Sequence, residues 1–296
     1  MKAKIKVLFY YFSLFFLSII VLAIFLIGIL EITVLRPNYL IEHLKENNYY
    51  DELYLSISDE MSNYIIQAGL EDSVLENIYT KDMIVESVNS SIYSFYGNQK
   101  IIIDTSVVKK NLEGNIVSYL EKNNIVVTDL AALDKFIDQM LDIYDEKIRL
   151  TSSLDFVKEI VFKWDFRLKV IFIVLVVIAL LIGLLFNIIY RKSAFSVPCF
   201  ACSILLLLGN YLFFERIDVK NILIWNENVS NIVKSILLDI SSLIKSGSIL
   251  LIILGFLTYL FSCILRLIIR KKSKVNEKII KPEIEIEKEK DEVEVL

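Results

Sequence analysis

The chain has 296 residues, 55% of them hydrophobic, and a formal net charge of −4 at pH 7. That apolar share exceeds what soluble globular domains usually carry, which excludes an ordinary soluble protein. Three cysteines and a single histidine are too few for a disulfide framework or for a zinc site built from His and Cys. We therefore expect no metal and no cofactor.

Four long apolar segments account for the excess hydrophobicity: residues 7–30, 168–190, 194–214 and 249–269. A helix rises about 1.5 Å per residue, so about 20 residues cross the hydrocarbon core of a bilayer, and each segment is long enough. The first segment is too long for a cleaved signal peptide, and the stretch Glu31-Ile32-Thr33-Val34-Leu35 offers no small-residue cleavage site. The sequence therefore predicts four transmembrane helices, and the first of them is predicted to remain in the protein as a membrane anchor.

Basic residues mark one side of the predicted membrane. Lys2, Lys4 and Lys6 precede the first segment, and basic runs at 191–192 and 270–272 follow the second and fourth. Cytoplasmic loops are enriched in Lys and Arg, so both termini are predicted to be cytoplasmic, in the plasma membrane. The predicted order is a cytoplasmic N-terminus (1–6), transmembrane helix 1 (7–30), an extracytoplasmic domain (31–167), transmembrane helix 2 (168–190), a cytoplasmic turn (191–193), transmembrane helix 3 (194–214), an extracytoplasmic loop (215–248), transmembrane helix 4 (249–269) and a cytoplasmic tail (270–296).

The predicted extracytoplasmic domain is acidic. Residues 32–167 hold 13 Lys and Arg against 23 Asp and Glu, a net charge of −10. Such a surface repels polyphosphates, so nucleic acid is excluded as a partner. The expected partners are the lipid bilayer and a membrane or envelope protein.

Helical periodicity and helix-end signals recur along this domain. Pro37 suits a first helical position, Thr80 suits an N-cap, and Gly69 and Gly97 suit helix ends. The apolar positions that recur at helical spacing are Leu53, Tyr54, Ile57, Met61, Tyr64, Ile65 and Ala68, then Ile84, Val88, Ile92 and Phe95, then Leu133, Ile137, Leu141, Tyr144 and Ile148.

Two short β-branched runs interrupt the helical pattern. Ile101-Ile102-Ile103 and Ile125-Val126-Val127 predict at most a small two-strand element, which would be stable only when packed on the helices. A last helix from about Ser152 is predicted to continue through Trp164 into the second apolar segment.

The final third of the chain contains an amphipathic segment and a charged tail. Residues 228–245 predict a surface helix with one apolar stripe, which packs on either the large domain or the outer leaflet of the membrane. From Pro282 the tail holds two Lys against seven Asp and Glu, a composition typical of disorder.

The pair in Cys199-Phe200-Ala201-Cys202 resembles the C-x-x-C of membrane thiol oxidoreductases. The predicted topology places it near the cytoplasmic end of a span, whereas such enzymes use a pair near the outer face. Two small polarizable residues also suit helix packing. Whether this pair is redox active is left open.

Four aspartates and the single histidine can each be interpreted either as a functional site or as ordinary exposed residues. Asp134, Asp138, Asp142 and Asp145 share one face of a helix, opposite its apolar stripe, and are interpreted as a solvated face rather than a cation site. His43 has no recognisable nucleophile or orienting group beside it and is interpreted as an exposed helix residue rather than a general base. We predict no catalytic, cofactor-binding or metal-binding residues.

Basic residues at the end of the fourth apolar segment form a juxtamembrane cluster. They suit a stop-transfer signal, and each could attract anionic lipid by about 1 kcal/mol near the surface. The candidate anionic-lipid contacts are Arg266, Arg270, Lys271, Lys272 and Lys274.

The stretches Arg36-Pro37-Asn38-Tyr39-Leu40 and Asn48-Tyr49-Tyr50-Asp51-Glu52-Leu53-Tyr54 resemble bacterial multi-span membrane proteins of uncharacterised function with a helical extracytoplasmic domain. An Ile-, Lys- and Asn-rich composition also favours a bacterial source. In layout alone the chain is similar to type VII ABC-transporter permeases, which implies a subunit that works with a separate cytoplasmic ATPase. Only Arg191-Lys192-Ser193 separates the second and third apolar segments, which leaves little room for the coupling helix of such permeases.

The sequence thus predicts a mainly α membrane protein with four transmembrane helices and a mainly helical extracytoplasmic domain. We expect a non-enzymatic envelope protein whose acidic domain binds a protein partner or ligand. The alternative is a permease-like subunit of a mechanotransmission complex with a separate ATPase.

Overall fold

The computed structural model of the chain is mainly helical. It describes the backbone of residues 2–97, 99–126, 129–149, 155–190, 195–216 and 227–293, and within these ranges the side chains other than those of 2–4, 6, 155–163, 187–190, 215, 227–229, 265, 266 and 269–293. The α-helices in these ranges are α1 (Lys2–Ile32), α2 (Pro37–Glu46), α3 (Tyr49–Gln67), α4 (Lys81–Tyr96), α5 (Ser106–Lys122), α6 (Leu130–Ile148), α7 (Asp155–Tyr190), α8 (Ser196–Asn210) and α9 (Glu227–Val293). A 3₁₀ turn (Asp72–Leu75) follows α3, and a π turn (Tyr211–Glu215) follows α8.

The helices form two compact units. The first, here called the apolar-helix unit, comprises Met1–Leu26, Ile173–Arg216 and Ser242–Leu296. The second, here called the helical domain, comprises Ile27–Phe172 and Ile217–Ser241.

Helices α3 to α6 of the helical domain each contribute one apolar stripe to a common core. The stripes repeat at intervals of three and four residues, as a helix with 3.6 residues per turn requires. The most deeply buried members are Ile57, Met61 and Ile65 of α3, Ile84, Val88 and Ile92 of α4, Val108, Leu112 and Ile116 of α5, and Ile137, Met140 and Tyr144 of α6. The predicted stripes of α3, α4 and α6 are therefore confirmed, except that Ala68, just past the end of α3, is exposed.

Local sequence sets the helix ends. Pro37 is the first residue of α2, and the Thr80 hydroxyl oxygen accepts a hydrogen bond from the Met83 amide at 3.3 Å. Gly69 adopts a positive φ of 78° after α3, and the Leu70 amide donates to the Ile65 carbonyl at 3.1 Å. That bond closes a Schellman motif, for which glycine is the preferred residue because it lacks a Cβ.

The predicted two-strand element is wrong for the residues that the structure describes, none of which lies in a strand. Ile125 instead completes the C-terminal cap of α5: Asn124 has a positive φ of 53°, and the Ile125 amide donates to the Leu120 carbonyl at 2.9 Å. Ile103, from the other run, packs against the helical core. A two-stranded pair is marginal by itself, so capping and core contacts determine the conformation of these runs.

The amphipathic segment 228–245 and the fourth apolar segment lie on one continuous helix, α9. Ile232 is buried in the core of the helical domain and Ile236 packs against it, so the apolar stripe faces the domain. The tail from Pro282, predicted to be disordered, has a helical backbone as far as Val293. Its acidic composition shows that it cannot form a hydrophobic core, but Glu and Lys still have a high helix propensity.

Among the residues that the structure describes, four helices are long and apolar enough to cross a membrane: Val7–Ile32, Trp164–Phe186, Ser196–Phe214 and Ser230–Ile264. As predicted, α7 runs through Trp164 without a break, whereas the predicted start near Ser152 lies outside the described residues. In the apolar-helix unit, small residues let α8 and α9 approach closely, because a Cβ added at Gly255 would lie 3.2 Å from the Cys199 Cβ. The Ser203 hydroxyl also donates to the Ser248 carbonyl at 2.9 Å.

Candidate functional site

The exposed face of α4 borders an open groove of about 740 Å³ in the helical domain, here called the α4 groove. The buried stripe of α4 faces the core, so the polar residues on the other side of the helix face out. The groove is lined by Asp82, Val85, Glu86, Asn89, Ser90, Tyr93, Ser94 and Gln99.

The α4 groove carries two negative charges that have no ion-pair partner among the described side chains. Asp82 and Glu86 are four residues apart on α4, a spacing at which like charges repel and slightly destabilise a helix. Neither forms an ion pair with any side chain that the structure describes, whereas the adjacent Lys81 contacts Asp51 at 2.5 Å. The groove therefore favours a cationic ligand group.

Hydrogen bonds hold the polar side chains of the groove in place. The half-exposed Tyr93 (51% exposed) donates its hydroxyl proton to Asn38 Oδ1 at 2.6 Å. Asn89 Oδ1 accepts a hydrogen bond from the Tyr50 hydroxyl at 2.7 Å. Exposed tyrosine rings are frequent anchors in protein interfaces and attract Lys and Arg through their π face.

A second polar cluster joins α2 to the first turns of α9, both within the helical domain. The Tyr39 hydroxyl donates to Asp239 Oδ2 at 2.8 Å, and His43 Nδ1 lies 3.0 Å from Ser235 Oγ. His43 Nε2 lies 3.7 Å from the same Asp239 oxygen, and Glu46 Oε2 lies 3.8 Å from His43 Nδ1. His43 is only 7% exposed, so the prediction of an exposed residue is wrong: α9 covers it.

His43 lies between Ser235 and Asp239, as the base lies between the nucleophile and the carboxylate in a serine-hydrolase triad. The geometry nevertheless favours a structural role, in which the cluster holds α2 and α9 together. A triad needs the base hydrogen-bonded to its orienting carboxylate, and 3.7 Å between His43 Nε2 and Asp239 is too long for a hydrogen bond. Ser235 also lies inside α9, where backbone amides donate to carbonyls four residues earlier and cannot stabilise an oxyanion. The cluster therefore acts as a polar clasp between α2 and α9, and we refer to it as the clasp.

The replacement Tyr39→Phe is expected to destabilise the helical domain by about 1 kcal/mol, because the clasp loses one hydrogen bond to a charged acceptor. Urea unfolding of the full chain in detergent micelles, followed by circular dichroism, measures the change. Tyr93→Phe is the matched control, since it removes an exposed hydrogen bond and is expected to change stability by less than about 0.5 kcal/mol. Equal losses in the two variants would contradict the clasp.

The four aspartates of α6 and the three cysteines do not form a site for a metal ion among the residues described. Asp134, Asp138 and Asp142 are exposed on α6, Asp138 lies 3.5 Å from Lys109, and Asp145 contacts Arg149 at 2.7 Å, so the predicted solvated face is confirmed. No group of three or more His, Cys, Asp or Glu side chains is placed to hold a metal among the residues described.

Cys199 and Cys202 are free thiols, buried in the apolar-helix unit beside Leu206 and Leu251. The five basic residues proposed to contact anionic lipid, Arg266, Arg270, Lys271, Lys272 and Lys274, lie on the α9 backbone, but their side chains fall outside the described part of the chain.

Sequence reasoning missed the clasp and the α4 groove. A partial signal exists for the clasp: Ser235 and Asp239 are four residues apart and flank the apolar stripe of α9 that carries Ile232 and Ile236. This spacing puts both side chains on the edge of the buried face, where a polar partner is needed. The identity of that partner depends on which helix covers α9.

Comparison with protein families, with curated proteins and with solved structures finds no match to this chain. The fold itself defines the class: the described part of the chain is mainly helical and contains four helices long and apolar enough to cross a membrane.

Proposed function

We propose that this chain is an integral plasma-membrane protein whose helical domain lies outside the cytoplasm and binds a basic segment of a partner protein, without catalysing a reaction. The observation that carries the proposal is the α4 groove. It combines the uncompensated carboxylates of Asp82 and Glu86 with the exposed ring of Tyr93. These are groups that recognise Lys and Arg side chains.

Two features support the membrane part of the proposal. The candidate spans expose large apolar side chains, among them Phe12, Phe15, Leu184 and Phe261, which are stable in contact with lipid and costly in water. The basic residues before the first span and after the second and fourth favour a cytoplasmic location for both termini.

Cysteine accessibility tests the orientation. In a variant in which Cys199, Cys202 and Cys263 are replaced by serine, Ser90→Cys is expected to react with a membrane-impermeant maleimide on intact cells. Ser273→Cys is expected to react only after the cells are permeabilised. Ser90 is exposed in the α4 groove, so failure to react could not be attributed to burial. The reverse pattern would contradict the proposed orientation.

A photo-crosslinking amino acid at position 93 tests the binding role in living cells. It is expected to capture one protein, through a peptide rich in Lys and Arg. The double variant Asp82→Asn, Glu86→Gln is expected to reduce the yield about tenfold, because both charges of the groove are lost. Copurification of a cytoplasmic ATPase with the chain would instead favour the permease-like alternative.

The matched control places the same crosslinker at Ile66, an exposed apolar residue on α3 outside the groove. Equal capture from positions 66 and 93 would show that the α4 groove is not the site. Capture that the neutralised double variant leaves unchanged would contradict recognition by charge. Turnover of a substrate by the purified chain would contradict the non-enzymatic role.

A further inference from the structure

An apolar cleft of about 470 Å³ lies between the C-terminal end of α5 and the start of α6, here called the α5–α6 cleft. Its apolar lining comes from six side chains: Val117, Leu120, Ile125, Val126, Leu130 and Leu133. Four of these six are exposed, Val117, Ile125, Val126 and Leu130, and Val126 is the most exposed at 83%. Clustered apolar exposure on a folded domain marks an interaction surface, whereas a single exposed apolar residue does not.

Local structure explains why these side chains remain exposed. The cap of α5 fixes the direction of the chain after Asn124 through the bond from the Ile125 amide to the Leu120 carbonyl. The N-cap of α6 fixes the other wall, because Asp129 Oδ1 accepts from the Ala132 amide at 3.0 Å. Both walls of the cleft are therefore formed by capped helix ends, which reduces the conformational entropy that these ends lose when a partner binds.

We infer that the α5–α6 cleft docks the apolar face of a basic amphipathic helix of the partner protein, an inference that rests on the proposed function. A helix presents apolar side chains at intervals of three and four residues, a common way to fill such a groove. Glu121 lines the cleft and forms no ion pair with the described side chains, so a Lys or Arg at the edge of the docked helix has a partner there.

The negative charge of the helical domain favours a basic partner over the other possible occupants of the cleft. A second copy of the chain would bring together two domains whose residues 32–167 each carry a net charge of −10, and a two-fold contact would place Glu121 near its own copy. An anionic membrane surface and the acidic tail beyond residue 282 are repelled by the same charge. A basic partner is attracted by it.

The test uses the full chain in nanodiscs of zwitterionic lipid and a fluorescent helical peptide with leucines on one face and lysines beside them. Fluorescence anisotropy, with the signal of empty nanodiscs subtracted, is expected to show micromolar binding. Exchanging the lysines for glutamates, or the leucines for serines, is expected to weaken binding at least tenfold.

Variants of the chain locate the binding. The double variant Val126→Ser, Leu130→Ser is expected to bind the lysine peptide at least tenfold more weakly, and Glu121→Lys is expected to shift preference toward the glutamate peptide. Leu55→Ser is the matched control, since Leu55 is 59% exposed on α3 outside the cleft, and is expected to change affinity less than twofold. An unchanged helical content by circular dichroism shows that each variant is folded.

Several outcomes would overturn the inference. One is no binding by the wild-type chain, and another is equal binding by the double variant and the wild type. A third is concentration-dependent self-association that the double variant abolishes, which would identify a second copy as the occupant. If the peptide still binds the double variant and the crosslinker at position 93 captures a basic partner, the cleft assignment fails while the proposed function stands.

Discussion

Replacing Ile57 by alanine is expected to lower the free energy of unfolding of the helical domain by about 2 to 5 kcal/mol. Ile57 lies on α3 and has no exposed surface, and α3 packs against α4 and α6. The replacement removes buried methyl and methylene groups and leaves a cavity that the surrounding helices fill only in part. A loss of this size is a large fraction of the stability of an ordinary domain, about 5 to 15 kcal/mol.

Leu55→Ala provides the control on the same helix, two residues away. Leu55 faces solvent, so its truncation is expected to change stability by less than about 0.5 kcal/mol. Urea unfolding of the full chain in detergent micelles, followed by tyrosine fluorescence, measures both variants, because 10 of the 15 tyrosines lie between residues 32 and 167. Similar midpoints for the two variants would show that the assignment of the core face of α3 is wrong.

The stripes of α3, α4 and α6 could be predicted because each depends on local periodicity. Ile57, Ile84 and Ile137 recur with their neighbours at helical spacing, and a helix must bury such a face whatever it packs against. The two-strand prediction failed because a β-branched run indicates a strand only where a partner strand is available. The Ile125 amide instead donates its hydrogen bond to the Leu120 carbonyl in the cap of α5, so it needs no partner strand.

The clasp could not be predicted because it joins residues about 200 positions apart. His43 on α2 gives no sign in the sequence that Ser235 and Asp239 on α9 will cover it. The sequence also does not determine whether the apolar stripe of α9 packs on the domain or on the membrane. Tertiary packing decides this, because Ile232 is buried in the core of the domain. The acidity of the domain was predictable, but the exposure of Asp82 and Glu86 beside Tyr93 depends on which face of α4 is buried.

Raising the pH from 10 to about 12 is expected to destabilise the helical domain through its buried tyrosines, of which Tyr50 and Tyr79 are two examples. Burial raises the pKa of Tyr50 from 10.0 to about 12. Burial also raises the pKa of Tyr79 to about 12, against the opposing effect of its hydrogen bond with Ser58. The folded domain therefore holds both phenolic protons at pH values where an unfolded chain has released them.

The sign of the effect follows from proton binding. Below pH 10 both phenols are protonated in the folded and the unfolded states, so they contribute no pH dependence. Between pH 10 and about 12 the unfolded state binds fewer protons, and each phenol lowers the stability by up to about 1.4 kcal/mol per pH unit. The two together amount to roughly 5 kcal/mol at the upper end, enough to unfold a marginal domain.

The variant Tyr50→Phe makes this prediction specific. When the free energy of unfolding is plotted against pH, the curve of this variant is expected to cross that of the wild type. Near neutral pH it lacks the hydrogen bond to Asn89 and is expected to be less stable by about 1 kcal/mol. Near pH 12 it is expected to be the more stable protein, because it has no phenol to ionise at that position. Urea midpoints of the full chain at several pH values, with tyrosinate absorbance recorded in parallel, measure the crossing. Parallel curves for Tyr50→Phe and the wild type would contradict the role assigned to the buried phenol.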